Sequence, residues 1–136
     1  ERDLAPIGRL LAELIETVQA FDLQEAIRNC HRLFHESNSH FLIVRMDDSV
    51  VGFINFTTRQ SILHPGASGL IDELVVAKAY RRRGIGRKLI SAAIDKCREL
   101  GCCEVEVSTE KTNHRARKFY RSCGFEEDAV LLETEC

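Results

Sequence analysis

A short apolar strand runs into an arginine-rich loop, and that loop opens an amphipathic helix. The predicted strand is Leu70–Val76, and the loop is Arg81-Arg82-Arg83-Gly84. A loop of this kind presents successive backbone N–H groups at the positive end of the helix dipole. Gly84 and Gly86 allow an anion to approach closely because they have no Cβ, and the arginines add charge and forked donors. The pattern predicts a cradle for a pyrophosphate.

The spacing excludes two other kinds of phosphate-binding loop. A dinucleotide-binding fingerprint requires a third glycine at the position of Leu89. A Walker loop requires a Gly-Lys-[Ser/Thr] sequence, which does not follow here. Taken alone, the segment is also compatible with a tight turn before an ordinary helix.

The periodicity of the apolar residues predicts nine elements in the order α-α-β-β-β-α-β-α-β. Asp3 is a predicted cap for a first helix extending to Val18, and Asp22 with Glu25 begins a second helix. The predicted strands and the remaining helices are His40–Met46, Val50–Thr57, Leu70–Val76 after Gly69, a helix from Gly84 to Gly101, Glu104–Ser108, a helix from Asn113 to about Ser122, and Phe125–Glu133. This order predicts a single α/β (α+β) domain over residues 1–136.

The charge of the chain is concentrated in one segment. The formal net charge is −2, but residues 78–121 hold 13 of the 19 lysines and arginines. A basic segment on a nearly neutral chain favours a local anion site over a surface that binds nucleic acid. A solvated helix face is the alternative explanation for the same charges.

The remaining composition narrows the class of protein further. No apolar run approaches the length of a membrane span, and the N-terminal residues do not resemble a secretory signal, so we expect a cytoplasmic protein without a membrane partner. The six cysteines include no Cys-x-x-Cys pair, and His31 with His35 lacks an evident third ligand. We therefore expect reduced thiols and no metal site.

A second motif lies downstream of the cradle. It reads Asn113-x-x-Ala116-x-x-Phe119-Tyr120-x-x-x-Gly124-Phe125, on a predicted helix that follows a strand. Together with Arg81-x-x-Gly84-x-Gly86, this spacing resembles the GNAT superfamily of N-acetyltransferases over about residues 40–133. Within that superfamily, the small-amine acetyltransferases are the most similar type.

The resemblance implies a mixed, mostly antiparallel sheet flanked by about four helices, with a gap between two strands for acetyl-CoA. It leaves open a further strand before Glu1. The strand Leu74–Val76 would diverge from Glu104–Ser108, and a backbone N–H of Val75 or Val76 would lie near the thioester carbonyl. The residues expected to bind acetyl-CoA are Leu74, Val75, Val76, Arg81, Arg82, Arg83, Gly84, Ile85, Gly86, Arg87 and Asn113.

Two side chains are candidates for proton transfer. The resemblance implies that Tyr120 is the acid that protonates the departing thiolate. The alternative is that Tyr120 is an aromatic residue of the core. Glu73 is the candidate base, because only a neutral amine has a lone pair for attack. A carboxylate in a salt bridge is the alternative for Glu73, and Asp72 is the weaker candidate because strand alternation places it on the opposite face.

The resemblance implies transfer of an acetyl group from acetyl-CoA to a primary amine, and we expect the amine to be that of a small molecule. A module that binds acetyl-CoA without turnover and a peptide N-acetyltransferase are the alternatives. The sequence does not define the amine or the oligomeric state, although a homodimer is compatible with a domain of this size.

Overall fold

The fold is a four-stranded sheet with helices on both faces. A computed structural model describes residues 4–15 and 22–136, so the predicted cap Asp3 and the helix end at Val18 lie outside the described residues. The elements are α1 (Leu4–Ile15), α2 (Leu23–Phe34), β1 (Ser39–Met46), β2 (Ser49–Arg59), β3 (Ala67–Val76), α3 (Ile85–Glu99), β4 (Cys102–Val107) and α4 (His114–Ser122). A short 3₁₀ turn, Lys78–Tyr80, connects β3 to the loop before α3.

The sheet has the strand order β1-β2-β3-β4. The first two neighbouring pairs are antiparallel, and β3 pairs with β4 in parallel. The β1–β2 hairpin turns at Asp47 and Asp48, which both adopt a positive φ, as a two-residue hairpin turn of type I′ requires. The mixed, mostly antiparallel sheet expected from the sequence is confirmed.

Gly69 lies inside β3, although the sequence pattern placed it before the strand. A Cβ on this residue would lie 2.5 Å from the Cys97 Sγ atom, so the glycine allows α3 to pack directly on the strand. Close helix packing, rather than a turn, explains this glycine.

Two apolar clusters cover the sheet. On one face, which we call the α3 face, Ile54, Phe56 and Ile71 pack against Leu89 and Ile90 of α3. On the other, the α1–α2 face, Phe53 and Val75 pack with Ile7, Leu10 and Cys30. Apolar burial on both faces supplies the main stabilisation of such a layered fold.

The strands β3 and β4 diverge, as predicted. Their pairing runs from Ala67 opposite Cys102 to Ile71 opposite Val107 and ends there. The C-terminal half of β3 continues to pair with β2, where Val76 lies opposite Gly52. One edge of β3 is therefore left without a strand partner from Asp72 to Val76.

The predicted last strand, Phe125–Glu133, is wrong: the described residues 125–136 form no strand. The ring of Phe125 packs on that of Tyr120, and the Glu127 carboxylate accepts hydrogen bonds from Arg117 and Arg121 of α4 over 2.7–3.0 Å. These contacts direct the segment along α4 instead of β4. Its apolar run is exposed, with 88% of Leu132 accessible to solvent.

The helices are short compared with a membrane span. Across residues 4–15 and 22–136, none of them combines the length and the apolar character needed to cross a bilayer.

Candidate active site

The unpaired edge of β3 exposes a defined set of backbone groups. The Ala77 N–H donates to the Val51 carbonyl of β2 over 2.8 Å. The backbone N–H and C=O groups of successive strand residues point to alternate edges of the strand. Those of Val75 therefore also point to β2, while those of Leu74 and Val76 point to the gap beside β4. The Val76 carbonyl indeed accepts a hydrogen bond from Arg81 Nε at 3.1 Å, from outside the sheet. The alternation thus favours Val76 over Val75 as the residue whose N–H reaches a ligand in the gap.

The loop after β3 has the backbone shape expected of an anion cradle. Gly84 is the N-cap of α3, with a φ of 78° and no side chain to cap the helix. Arg82 also has a positive φ, of 62°, which is unusual for a residue with a side chain. Ile85, 5% exposed, anchors the first turn in the α3-face cluster. The first N–H groups of α3 therefore have no side-chain cap and lie beside the open edge of β3.

The four arginines of this region have different surroundings. Arg81 is bonded to the Val76 carbonyl, and the guanidinium of Arg83 lies 5.1 Å from the centre of the Tyr80 ring. Arg87 donates to the Ser122 carbonyl at 2.8 Å and to its hydroxyl at 2.7 Å. Arg87 consequently joins α3 to the end of α4, a structural role that the spacing did not reveal.

Gly86 has a packing role that the sequence interpretation missed. A Cβ at this position would lie 3.4 Å from Cζ of Phe119 and 3.9 Å from Cγ2 of Val76. These are ordinary van der Waals distances, so Gly86 lies where α3 contacts Phe119 of α4, and a methyl group fits there. A larger side chain at this position would press on Phe119 and Val76.

Asn113 begins α4 as predicted. Its Oδ1 atom accepts a hydrogen bond from the Ala116 N–H at 3.0 Å. The cap engages Oδ1, and the amide nitrogen is not part of that bond. Asn113 is exposed to solvent at the start of the helix.

Tyr120 is half-buried beside the α3-face cluster. Its ring makes edge contacts with Phe119 and Phe125, at centroid distances of 5.3 and 5.8 Å. Burial, with a smaller contribution from Cys123, raises the pKa of the Tyr120 phenol. The phenol therefore stays protonated over a wider pH range and keeps a proton that it can donate.

Glu73 is half-buried on the α1–α2 face. Among the described residues, no lysine, arginine or histidine forms an ion pair with it. Its backbone N–H donates to Asn55 Oδ1 at 3.0 Å, across the β2–β3 pair. Burial, and then the charge of Asp72, raise the pKa of Glu73, while a hydrogen bond from Asn55 lowers it. Burial thus makes this carboxylate a stronger base than an exposed one.

Asp72 lies at a β-bulge, because Asn55 pairs with Glu73 while the next residue, Phe56, pairs with Ile71. The bulge interrupts strand alternation, so the prediction that Asp72 and Glu73 point to opposite faces does not hold in its simple form. The Asp72 carboxylate accepts a hydrogen bond from the Thr57 hydroxyl at 3.3 Å and raises the pKa of Glu73 by its charge.

Glu73 borders a cavity of about 250 Å³ between the sheet and helices α1 and α2. The sequence offers no motif for an acceptor site, because the lining of this cavity comes from five elements distant in the chain. The lining residues are Leu11, Leu14, Ile15, Ala26, Asn29, Cys30, Leu33, Phe41, Phe53, Asn55 and Glu73. One sequence signal could have indicated the cavity: Asn55 is a polar residue within an otherwise apolar strand. The structure shows that it is 1% exposed.

The structure separates the two candidates for proton transfer. Glu73 lines the cavity on the α1–α2 face, whereas Tyr120 packs on the α3-face cluster. The edge of β3 that diverges from β4 runs from Asp72 to Val76, between these two faces of the sheet. No group of three metal-ligating side chains occurs among residues 4–15 and 22–136.

Comparison with known proteins agrees with this geometry. The model of the acetyltransferase (GNAT) family matches residues 8–125. The chain is 30% identical over 118 residues to N-alpha-acetyltransferase 30 of Schizosaccharomyces pombe, covering 85% of this chain and 77% of the relative. It is also 30% identical over 131 residues to the N-acetyltransferase YhfO of Bacillus subtilis, covering 96% and 88%.

Solved structures show the same fold. The aminoglycoside acetyltransferase AAC(6′)-Iy, in complex with the bisubstrate analogue CoA-S-monomethyl-acetylneamine, superposes with a TM-score of 0.83 at 18% identity, covering 100% of this chain and 94% of that one. The fold combines an open sheet, a strand that diverges from its neighbour, and an anion cradle at the start of a helix. This is the fold of an acyl-CoA-dependent transferase. The chain belongs to the acetyltransferase (GNAT) family and is an N-acetyltransferase that uses acetyl-CoA.

Proposed function

We propose that this enzyme transfers the acetyl group of acetyl-CoA to the primary amine of a small molecule, with Glu73 as the base and Tyr120 as the acid. The observation that carries the proposal is the position of Glu73, which is held by Asn55 at the border of a cavity and at the edge of the gap in the sheet. A half-buried carboxylate with no countercharge among the described residues is destabilising, which is typical of functional sites.

The cradle suits the phosphates of acetyl-CoA. The N–H groups at Gly84 and Ile85 have no side-chain cap, and Arg82 is an exposed cation in the loop that follows the unpaired end of β3. Arg81 and Arg83 add charge, while Arg87 joins α3 to the end of α4. The pantetheine arm would then run along the free edge of Leu74 and Val76, with Asn113 at the other wall.

The chemistry requires two proton transfers. The amine nitrogen attacks the thioester carbon, the new C–N bond forms, and the C–S bond breaks. Glu73 takes the proton that the amine loses, and its raised pKa favours that transfer. Tyr120 gives a proton to the departing sulfur, and its raised pKa keeps the proton available. The products are the N-acetylamine and free CoA.

A peptide amino terminus is the second candidate acceptor, since the fission yeast relative is named N-alpha-acetyltransferase 30. A mixture of acetyl-CoA with small amines and short peptides, followed by thiol release and product mass, tests the proposal. We expect turnover with small amines. If acetyl-CoA binds but no acceptor is acetylated, the chain is a binding module and the proposal is wrong.

A further inference from the structure

The cavity beside Glu73 has an apolar wall. Its lining includes leucines and isoleucine from α1, Leu33 of α2, and the aromatic rings of Phe41 and Phe53 from the sheet. Polar lining is limited to Asn29, Asn55 and Glu73. A ligand that fills the cavity therefore places most of its surface against hydrocarbon, where apolar groups gain free energy from burial.

The charge of the lining selects against acidic ligands. Glu73 is its one carboxylate, and no lysine, arginine or histidine occurs among the described lining residues. A carboxylate on the acceptor would be buried without a cationic partner and close to the charge of Glu73, which is strongly unfavourable.

The polar inventory limits the acceptor further. Asn55 is engaged by Glu73, with its Oδ1 atom on the Glu73 N–H. Glu73 can receive the amino group. Among the described lining residues, Asn29 is the other polar side chain, and its Oδ1 atom already accepts a hydrogen bond from Arg32 at 2.9 Å, so only its amide N–H groups remain for the ligand. A peptide amino terminus brings an amide next to its amino group, and a polyamine brings further ammonium groups, so both would require partners that this lining lacks.

The size of the cavity is that of a small ligand. At about 250 Å³ it lies just below the roughly 300–1,000 Å³ typical of sites for drug-sized molecules. One ring or a short alkyl chain fits this space.

Resting on the proposed function, we propose that the acceptor is an arylalkylamine or a short alkylamine without an acid group, bound with its apolar body between α1, α2 and the sheet and its amino group on Glu73. Phe41 and Phe53 supply faces and edges against which an aromatic ring packs. The amine nitrogen forms the bond to the acetyl carbon, and the thiolate of CoA leaves.

The test compares four acceptors at equal concentrations with the intact chain and acetyl-CoA: phenethylamine, phenylalanine, spermidine and a tripeptide with an N-terminal phenylalanine. Free thiol and product mass are measured. We expect kcat/KM for phenethylamine to exceed that for each of the others by about tenfold or more. Equal or better use of phenylalanine or spermidine overturns the inference while the proposed function stands. Equal or better use of the tripeptide overturns the inference and favours the peptide amino terminus as the acceptor. Failure of all four acceptors with bound acetyl-CoA contradicts the proposed function itself.

Two cavity variants give an independent test. Leu33→Arg adds a cation to the wall, so we expect the preference for phenethylamine over phenylalanine to fall by about tenfold, with Leu33→Met as the neutral control. Ala26→Leu narrows the cavity, so we expect activity with phenethylamine to fall more than activity with propylamine. Circular dichroism and melting confirm that each variant is folded. An unchanged preference in both folded variants overturns the assignment of the cavity as the acceptor site.

Discussion

The Oδ1 atom of Asn55 accepts a hydrogen bond from the backbone N–H of Glu73 over 3.0 Å, beside the bulge that interrupts the pairing of β2 with β3. Asn55 is almost fully buried, and it also bonds the Glu73 side chain, which lowers the pKa of that carboxyl. The Asn55 amide therefore holds the backbone of the proposed base and partly offsets the rise in its pKa that burial causes.

Replacement of Asn55 tests this relationship. Asn55→Ala leaves the buried Glu73 N–H without its partner, so we expect a loss of about 1–3 kcal/mol in the free energy of unfolding. It also removes the bond that lowers the pKa of Glu73, so the acidic limb of the pH–rate profile should move to higher pH. Thr57→Val, which removes a contact to Asp72 instead, is the control. A stability loss without any movement of that limb would show that Asn55 is only structural.

Tyr120→Phe separates packing from proton donation. The ring contacts with Phe119 and Phe125 remain, so the melting temperature should change little. Loss of the hydroxyl should reduce turnover by about 10²-fold or more, within the range for a positioned acid. Acetyl-CoA affinity, measured by calorimetry, should stay constant. Wild-type turnover in this variant would leave water as the proton donor.

Two arginines of the cradle should respond differently. Arg87 bridges α3 to Ser122, so Arg87→Ala should lower the melting temperature. Arg82 is exposed at the loop before α3, so Arg82→Ala should weaken acetyl-CoA binding by about 1–3 kcal/mol with little change in melting. Thermal melting and calorimetry on both variants distinguish the roles. The opposite pattern would exchange the assignments of the two side chains.

The sequence was most informative where a pattern is local. The strand–loop–helix segment ending at Gly84 and the cap at Asn113 are encoded by adjacent residues, and both form as predicted. The predicted strand Phe125–Glu133 is wrong because the carboxylate of Glu127 binds Arg117 and Arg121 of the preceding helix, and strand periodicity does not register such side-chain contacts.

The shape of the acceptor cavity could not be predicted from the sequence, for a related reason. It forms where five elements meet, and no spacing along the chain records that Phe41, Cys30 and Glu73 share one space. The bulge at Asp72 is equally invisible to alternation, yet it decides which carboxylate lies beside Asn55. Gly86 shows the same limit, since its packing against Phe119 becomes evident only once α3 and α4 are docked.

The Glu73→Gln variant also carries a prediction about stability. Burial raises the pKa of Glu73 in the folded protein above its usual value. A carboxyl with a raised folded pKa favours the folded state at low pH, and that contribution is lost as pH rises through the folded pKa. Removing the charge should therefore keep or increase the melting temperature at neutral pH, as measured by calorimetry. A marked decrease would support a structural role for Glu73.

Turnover of Glu73→Gln with a primary amine and acetyl-CoA, followed by free thiol and N-acetylamine together, is the most direct measurement of the catalytic assignment. We expect the variant to bind acetyl-CoA as the wild type does and to acetylate the amine about 10²–10⁴-fold more slowly near neutral pH, with partial recovery at higher pH where more amine is neutral. A folded Glu73→Gln variant that produces N-acetylamine at the wild-type rate would contradict the assignment of Glu73 as the base.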